Sequence, residues 1–284
     1  MDGASLLDIE VLRRLLDTQY FAIDDRLLYQ PVVDSTNVLA MQLAHQRPDE
    51  GVVVLTDSQT AGKGRLGRHW VDVSGCNVLL SILLRPLFPP HLLLMISSLT
   101  VVDAIAETCG VSATIKWPND ILVENRKVAG ILIETSHDQT GRMVAILGIG
   151  INVNGRVEEL AEQAQASLMT TATTLEAVCG HMVSRETLIA HLLHRIEMDY
   201  LALQHEYMSS SPISKEQYVP ISRLMRERWR SRLSTLGRAI QVQQGNALVS
   251  GFAEDVDDNG ELLLRRHSGE LVSITWGDVG YPTG

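Results

Sequence analysis

The segment from Gln59 to Trp70, which reads QTAGKGRLGRHW, combines closely spaced glycines with basic side chains. Glycines at near-alternating positions let a backbone approach a ligand closely and turn its N–H groups inward. The interleaved cations can neutralise a carboxylate and a phosphate together. The basic side chains are Lys63, Arg65, Arg68 and His69, with no acid among them. The pattern indicates either a binding loop for a small anion or a flexible surface loop with solvated charges.

A second segment, Lys116-Trp117-Pro118-Asn119-Asp120, connects two predicted strands. A proline disfavours the helical conformation in the residue before it, so the Lys116 and Asp120 side chains are expected to be held by a stiff turn. Asn119 and Asp120 could serve as hydrogen-bond partners or as magnesium ligands. Taken alone, an ordinary strand–turn–strand corner explains the segment equally well.

Two further segments place small residues in predicted strands. Lys127 begins the run KVAGILIE, where it is either a positioned cation or an edge residue whose ammonium group reaches solvent. Gly130 within this strand permits the close approach of a ligand or marks a bulge. The segment Gly148–Asn154, GIGINVN, puts two glycines and an amide near the end of another strand.

The overall composition argues against several functional classes. The chain of 284 residues carries a formal net charge of −10, whereas general binding to a nucleic-acid backbone requires clustered cations. The N-terminus, Met1-Asp2-Gly3-Ala4, lacks the features of a secretory signal, and no apolar run reaches the roughly 18 residues of a membrane-spanning helix. Cys76, Cys109 and Cys179 lie far apart and predict neither a disulfide framework nor a metal site. A cytoplasmic protein is the simplest interpretation.

Hydrophobic periodicity predicts helices and strands that must position these segments. Strands are predicted at 51–56, 76–84, 114–117, 120–123, 128–134 and 143–153, and helices at 5–16, from Ser35 to about His45, at 91–108 and at 184–203. Asp34 or Ser35 is the predicted N-cap of the second helix, Ser184 that of the last, and Gly110 the left-handed residue that ends the third. From Arg238 to Gly280, short alternating strands with a turn at 257–260 fit a small barrel.

The basic run from Arg223 to Arg232 is interpreted as a solvated helix face, with a surface for an acidic acceptor protein as the alternative.

In order and spacing, Ser35-Thr36-Asn37, GKGRLGRHW, KWPND, KVAGILIE and GIGINVN resemble the catalytic domain of the biotin–protein ligase family. The resemblance continues through Ala166-Ser167-Leu168 and the helix at 184–203 into the C-terminal barrel, and it covers residues 28–281. The combination of KWPND with a GxGRxGR-type loop is specific, and the related lipoyl ligases differ at both places. One departure is Lys63, where the family usually has arginine. Lysine keeps the charge but loses the bidentate fork.

The resemblance implies roles for individual residues. Lys127 and Arg65 are implied to be catalytic, with Lys127 contacting the carboxyl end of biotin and the reacting phosphate. The residues implied to bind biotin are Ser35, Thr36, Asn37, Gln59, Lys63, Gly64, Arg65 and Lys127. Those implied to bind the nucleotide are Arg68, Lys116, Asn119, Asp120 and Asn152. Metal ligands are not assigned.

The fold implied by the resemblance is α+β: a mixed sheet with helices, similar to the class II tRNA-synthetase core, followed by a small all-β, SH3-like barrel. It divides the chain into an N-terminal helical segment (1–27), a catalytic domain (28–235) and a C-terminal domain (236–284). The implied enzyme uses ATP and Mg²⁺ to form biotinyl-5′-AMP from biotin. It then transfers biotin to a lysine of a biotin carboxyl carrier protein domain, as in acetyl-CoA carboxylase or another biotin-dependent carboxylase. A homodimer is compatible with the resemblance.

Two rival functions stay open at this point. A lipoyl or octanoyl ligase would use the same fold. Some family members also act as biotin-responsive DNA-binding repressors through an N-terminal winged helix, which needs at least two helices joined by a turn. Only 34 residues precede Ser35, and they predict a single short helix. We therefore expect a ligase that binds neither nucleic acid nor a membrane.

Overall fold

The computed structural model describes residues 5–46, 49–163, 172–209 and 219–282. Its larger sheet has seven strands in the spatial order β1-β2-β3-β7-β6-β5-β4. The strands are β1 (Leu27–Val33), β2 (Val52–Gln59), β3 (Val78–Leu84), β4 (Thr114–Lys116), β5 (Asp120–Val123), β6 (Arg126–His137) and β7 (Met143–Ile151). β1 pairs with β2 in parallel, and the other neighbouring strands are antiparallel. The expected mixed sheet is therefore confirmed.

Strand β1 is the element of this sheet that sequence patterns do not predict. It contains Pro31, which has no N–H to donate, and proline is tolerated in strands at the edge of a sheet. β1 occupies such an edge. By contrast, β3 is buried along its whole length, and its run VLLSILL is typical of a strand covered on both faces. Runs of apolar residues thus predict the central strands of this sheet but not the edge strand β1.

Helices cover both faces of the larger sheet. On one face, α2 (Thr36–Gln46) packs Ala40 and Ala44 against an apolar cluster from β2, β3 and β7. On the other face lies a layer formed by α3 (Pro90–Cys109), α6 (Arg185–Met208) and α7 (Ile221–Ser231). The described chain also contains three shorter α-helices, α1 (Ile9–Leu15), α4 (Val157–Gln163) and α5 (Leu175–Cys179), and two one-turn 3₁₀ helices, Asp24–Arg26 and Arg65–Gly67. Ser184 caps α6 as predicted, accepting the N–H of Thr187.

Helix α3 is predominantly apolar. Its most apolar window has a mean hydropathy of 1.7, so by length and composition it could cross a membrane, contrary to the expectation from sequence. Within the folded protein, 67% of that window is buried, between the larger sheet and α6. Gly110 ends the helix with a left-handed φ of 68°, as predicted. Its apolar composition is that of a core helix.

The N-terminal segment is held by two buried, charged side chains of α6. Arg185 donates from Nη2 to the carbonyl of Ser5 over 2.5 Å, and it also forms an ion pair with Asp57 of β2, with 2.6 Å between Nη1 and Oδ1. Glu197 accepts the backbone N–H groups of residues 19–21. Helix α1 in this segment is shorter than the predicted 5–16, because Asp8 caps it and residues 5–7 run outside the helix.

The smaller sheet has five antiparallel strands in the order β11-β10-β9-β8-β12. They are β8 (Ala239–Gln244), β9 (Ala247–Val256), β10 (Leu262–Arg265), β11 (Leu271–Ile274) and β12 (Asp278–Gly280). The predicted turn at 257–260 joins β9 and β10, with Gly260 at a φ of 79° that disfavours other residues. The short alternating pattern therefore gives the small all-β unit that the sequence predicted.

Trp117 of the KWPND segment connects the two sheets. Its side chain is 2% exposed and donates from Nε1 to the carbonyl of Gly260 over 2.9 Å. Its backbone N–H donates to Oγ1 of Thr235, also over 2.9 Å. The segment forms the β4–β5 hairpin, in which Lys116 pairs with Asp120 and the Trp117–Pro118 peptide is cis. The tryptophan therefore fixes the smaller sheet against the hairpin.

Three of the four arginines of α7 are tied to acids elsewhere in the molecule. Arg226 pairs with Asp258 at 2.7 Å, Arg228 with Asp103 at 2.8 Å, and Arg230 with Asp255. These partners lie on α3, on β9 and in the turn after β9. The prediction of a merely solvated helix face is therefore incomplete, because these arginines also join α7 to its neighbours.

Candidate functional site

The separate sequence segments meet in one pocket of about 200 Å³ beside the larger sheet. The predicted site residues that line it are Ser35, Thr36, Asn37, Gln59, Lys63, Gly64, Arg65, Arg68, Asn119, Asp120, Lys127 and Asn152. Lys116 does not line this pocket. The predicted segment Ala166-Ser167-Leu168 lies outside the described residues.

One end of the pocket is a network of neutral polar side chains, which we call the amide end (Ser35, Thr36, Asn37, Gln59 and Ser81). Oε1 of Gln59 accepts the N–H of Thr36 over 2.8 Å at the start of α2. The hydroxyl of Ser81 contacts Oγ1 of Thr36 at 2.8 Å and Oδ1 of Asn37 at 2.6 Å. Thr36 and Asn37 are each 4% exposed. Their orientations are therefore set by packing and by mutual hydrogen bonds.

Ser81 is a member of this network that the sequence analysis missed. It lies in the middle of β3 and is fully buried. The available signal was a single hydroxyl within the apolar run VLLSILL, since a buried polar group requires a partner. Its partners come from α2, 44 and 45 residues away along the chain, and no spacing rule connects them.

Asp34 and Ser35 make different contacts at the start of α2. Asp34 accepts a hydrogen bond from the hydroxyl of Thr60 over 2.9 Å, so it ties the helix start to the end of β2. Ser35 immediately precedes the helix, and its carbonyl accepts the N–H of Leu39. Ser35 thus occupies the capping position that the sequence predicted for one of the two.

Two glycines form a flat surface on which Trp70 rests. Gly130 of β6 pairs with Gly150 of β7. A Cβ atom would lie 2.9 Å from the Trp70 ring at Gly130 and 2.5 Å from it at Gly150, so neither position has room for a side chain. The predicted close approach at Gly130 is thus made by the indole of Trp70. Within the described residues, the buried Nε1 of Trp70 has no hydrogen-bond partner.

The other end of the pocket carries positive charge, and we call it the cation end (Lys63, Arg65, Arg68 and Lys127). The ammonium group of Lys127 lies 2.6 Å from Oδ1 of Asp120 and 5.5 Å from the centre of the Trp70 ring. Lys127 is therefore a positioned cation beside the pocket. Its partly exposed position near the start of β6 would by itself also be compatible with an edge residue whose ammonium group reaches solvent.

The cations of the glycine loop are also paired. Lys63 contacts Glu134 of β6 at 3.0 Å, Arg65 donates to Oδ1 of Asn119 over 2.7 Å, and Arg68 pairs with Asp278 of β12. Burial lowers the pKa of Arg65 from its usual value. The two arms of the loop are joined by a bridge between Lys63 and His69. The described loop therefore has defined contacts, in contrast to four solvated charges that repel one another.

Lys116 lies in a neighbouring cavity of about 380 Å³, between the hairpin and the smaller sheet. Its ammonium group is 5.6 Å from the centre of the Tyr281 ring. Burial lowers the pKa of Lys116, and Asp120 acts in the opposite direction. Arg65 and Arg68 line both cavities, so the two spaces adjoin. The smaller sheet thus contributes to the surroundings of the predicted site, which sequence reasoning did not anticipate.

Asn152 follows β7 and lines the pocket near the backbone of Lys127. Its Nδ2 donates to the carbonyl of Thr173 over 3.2 Å, and the N–H of Thr173 donates to the carbonyl of Lys127 over 2.8 Å. In the part of the chain that is described, the buried Oδ1 of Asn152 has no hydrogen-bond partner. A buried polar atom without a partner is uncommon and points to a ligand or water.

The described residues contain no group of three or more His, Cys, Asp or Glu side chains that could hold a metal ion. Mg²⁺ usually keeps several waters and binds through one or two carboxylates together with substrate phosphates. Asp120, which lines the pocket, fits such a limited protein contribution, although Lys127 occupies one of its oxygens.

The chain is similar to known proteins over both sheets. Residues 29–154 match the biotin/lipoate A/B protein ligase family, and residues 235–279 match the biotin protein ligase C-terminal domain. The biotin–[acetyl-CoA-carboxylase] ligase of Paracoccus denitrificans is 33% identical over 244 residues, which cover 84% of this chain and 94% of the relative. The bifunctional ligase/repressor BirA of Bacillus subtilis (strain 168) is 34% identical over 247 residues, which cover 86% and 70%.

A solved structure gives the same assignment. The biotin protein ligase from Aquifex aeolicus in complex with biotin and ATP superimposes with a TM-score of 0.71 at 26% identity. The match covers 89% of this chain and 97% of that one. The pocket, the two sheets and these relatives agree, and the chain belongs to the biotin protein ligase family.

Proposed function

We propose that the protein activates biotin with ATP and transfers it to a lysine of an acceptor protein. The observation that carries this proposal is the joining of a buried amide end and a cation end in a single pocket. Biotin has a polar ring system at one end, an apolar chain and a carboxylate at the other. Such a ligand would satisfy both ends of the pocket at once.

The first step joins two anions, so charge is the main obstacle. A carboxylate oxygen of biotin attacks the α-phosphorus of ATP, the bond to pyrophosphate breaks, and biotinyl-5′-AMP forms. Lys127 and Arg65, the proposed catalytic residues, would stabilise the negative charge that develops on the phosphoryl group. Lys127 would have to exchange its contact with Asp120 for one with the reacting phosphate.

Biotin is proposed to contact the amide end through Ser35, Thr36, Asn37 and Gln59. The backbone of Lys63 and Gly64 would close over it, since these residues line the same pocket. Sequestering the mixed anhydride from water matters because water would otherwise hydrolyse it. The Trp70 ring already covers Gly130 and Gly150, the paired glycines that line the same pocket.

The nucleotide is proposed to lie across the two adjoining cavities. Asn152 lines the first, Lys116 lines the second, and Asn119 and Asp120 lie between the two and line both. Arg68 lines both. A polyphosphate carries several charges, and cations in both cavities would neutralise it. Mg²⁺ would be held mainly by the phosphates, with Asp120 as the candidate protein ligand, and it supplies charge neutralisation.

In the second step, the amine of the acceptor lysine attacks the anhydride carbonyl and AMP leaves. Names such as that of the P. denitrificans relative point to the biotin carboxyl carrier domain of acetyl-CoA carboxylase as the acceptor. The exposed edge strand β1 would allow two copies to pair edge to edge, and we propose a homodimer formed in this way.

A lipoyl or octanoyl ligase is the competing function, because the family that matches residues 29–154 includes both kinds of enzyme. The match of residues 235–279 to the biotin protein ligase C-terminal domain favours biotin. The protein is incubated with MgATP and with biotin, lipoate or octanoate in turn, and the bound product is identified by mass spectrometry. Biotin should give biotinyl-AMP, whereas lipoate and octanoate should give no adenylate. A pyrophosphate-release rate that is equal or higher with lipoate or octanoate would contradict the proposal.

A further inference from the structure

Glu134 lies on β6 between the amide end and the glycine loop, and each of its carboxylate oxygens has a different partner. Oε2 accepts a hydrogen bond from Nδ2 of Asn37 over 2.8 Å. Oε1 contacts the ammonium group of Lys63 at 3.0 Å. One carboxylate therefore touches both a buried side chain of the pocket and the loop above it.

The contact with Asn37 determines which way that amide points. Oδ1 of Asn37 accepts the hydroxyl of Ser81 over 2.6 Å. A carboxylate can only accept, so Nδ2 must face Glu134. The amide also fills the space above Gly148, where a Cβ would lie 2.2 Å from Oδ1. Without Glu134, the Nδ2 group would lose its acceptor in a site that is 4% exposed.

The contact with Lys63 attaches the loop to the larger sheet. The other two loop cations make different attachments: Arg65 to Asn119 of the KWPND turn and Arg68 to Asp278 of the smaller sheet. Side-chain exposures of 43% for Lys63 and 33% for Glu134 leave this pair partly solvated. Such a pair contributes little to global stability but can shift the position of a loop.

We propose that Glu134 is a positioning residue that holds the Asn37 amide for biotin with one oxygen and restrains the glycine loop through Lys63 with the other. The claim about Asn37 rests on the proposed function, whereas the claim about the loop does not. Lys63 is thereby assigned an acidic partner of its own, and the loop and the amide end are linked through one side chain.

The loop restraint is tested in ligand-free protein by an arginine-specific protease, which can cut after Arg65 and Arg68 in every variant. Glu134→Gln removes the charge and should speed loop cleavage up to about fivefold, the range for a partly exposed ion pair. Lys63→Glu and Glu134→Lys should each speed it similarly. The double variant Lys63→Glu/Glu134→Lys restores opposite charges and should return to within about twofold of the wild type.

The positioning of Asn37 is tested by steady-state kinetics of adenylate formation. Glu134→Ala should raise KM for biotin about tenfold, because it leaves a buried donor unpaired, with kcat changed less than about threefold. Glu134→Gln keeps an acceptor oxygen and should recover most of this KM. The matched control is Glu270→Gln, which alters an exposed pair with Arg266, 3.2 Å apart, in the turn between β10 and β11.

Unchanged loop cleavage in all four charge variants, with a melting temperature like that of the wild type, would overturn the restraint. An unchanged KM for biotin in Glu134→Ala would overturn the positioning of Asn37. A lower melting temperature without either change would mean that Glu134 is merely structural. If the wild type and Glu270→Gln form no biotinyl-AMP, the proposed function fails, and the cleavage results still decide the loop restraint.

Discussion

The two ends of the pocket are built by different physical means. At the amide end, neutral groups bond to one another and to one carboxylate oxygen of Glu134 within a nearly solvent-free site, so their geometry exists before any ligand arrives. At the cation end, Lys63 and Lys127 already contact carboxylates, and so does Arg68. An incoming anion must compete with those acids. One end is therefore preorganised, and we expect the other to bind an anion by exchange of partners.

The largest effect is expected when a cation is removed. Lys127→Ala should slow adenylate formation by about 10²–10³, or roughly 2.7–4 kcal/mol, as for removal of a donor that stabilises a transition-state charge. It also leaves Asp120 without its partner, which adds negative charge near the phosphates. Single-turnover rates with biotin and MgATP would measure the loss.

Arg126→Ala is the matched control for this comparison. It removes a neighbouring cation on β6 whose partner is the exposed Glu124, 3.2 Å away. Its rate should stay close to that of the wild type. A folded Lys127→Ala protein with a near-normal rate would mean that Lys127 is only an edge residue, and the contrast between the two ends would lose its basis.

The second effect tests the rigidity of the amide end. Gly148→Ala places a methyl group 2.2 Å from Oδ1 of Asn37 as the structure stands, so the amide must move. Overpacking of this kind costs about 1–3 kcal/mol. We expect KM for biotin to rise roughly 5- to 160-fold, with a much smaller change in KM for ATP.

Gly280→Ala provides the control for KM of biotin, because its nearest neighbour would lie at an ordinary 3.8 Å and it lines only the second cavity. Titration of biotin at saturating ATP, followed by titration of ATP at saturating biotin, separates the two constants. Equal increases in both would indicate that the amide end is not dedicated to biotin.

A smaller effect is expected from the exchange of partners at the cation end. Biotin with MgATP should order residues 62–70 further, because ligand contacts offset about 1–2 kcal/mol of backbone entropy for each residue that is ordered. Cleavage after Arg65 and Arg68 should then slow several-fold, consistent with a lower open population. Cleavage at the same rate with and without saturating ligand would show that the loop is no lid.

The smallest effect is expected for Lys63→Arg. The replacement keeps the charge and can contact Glu134 with two N–H groups, so KM for biotin and the cleavage rate of the loop should change less than about twofold. A change of tenfold or more would show that the ammonium group of Lys63 makes a contact that guanidinium cannot reproduce.

The sequence alone determined much of the fold and most of the pocket. Long apolar runs such as β3 and α3 are recognisable because strong local patterns persist wherever the chain folds. The same holds for Gly110 and for the turn ending at Gly260, where a positive φ favours glycine. The predicted site residues from Ser35 to Asn152 line one pocket, except for Lys116, because each segment keeps a short and fixed relation to its own strand or helix end.

Only the tertiary structure decided which charges and amides meet. Glu134 contacts Lys63 across 71 residues, and Asp278 contacts Arg68 across 210. Ser81, hidden in an apolar strand, joins the amide end. Lys116 belongs to the second cavity because Trp117 fixes the smaller sheet beside it. These pairings depend on how strands order in a sheet and how two sheets pack, and such long-range contacts leave no local periodicity or spacing in the sequence.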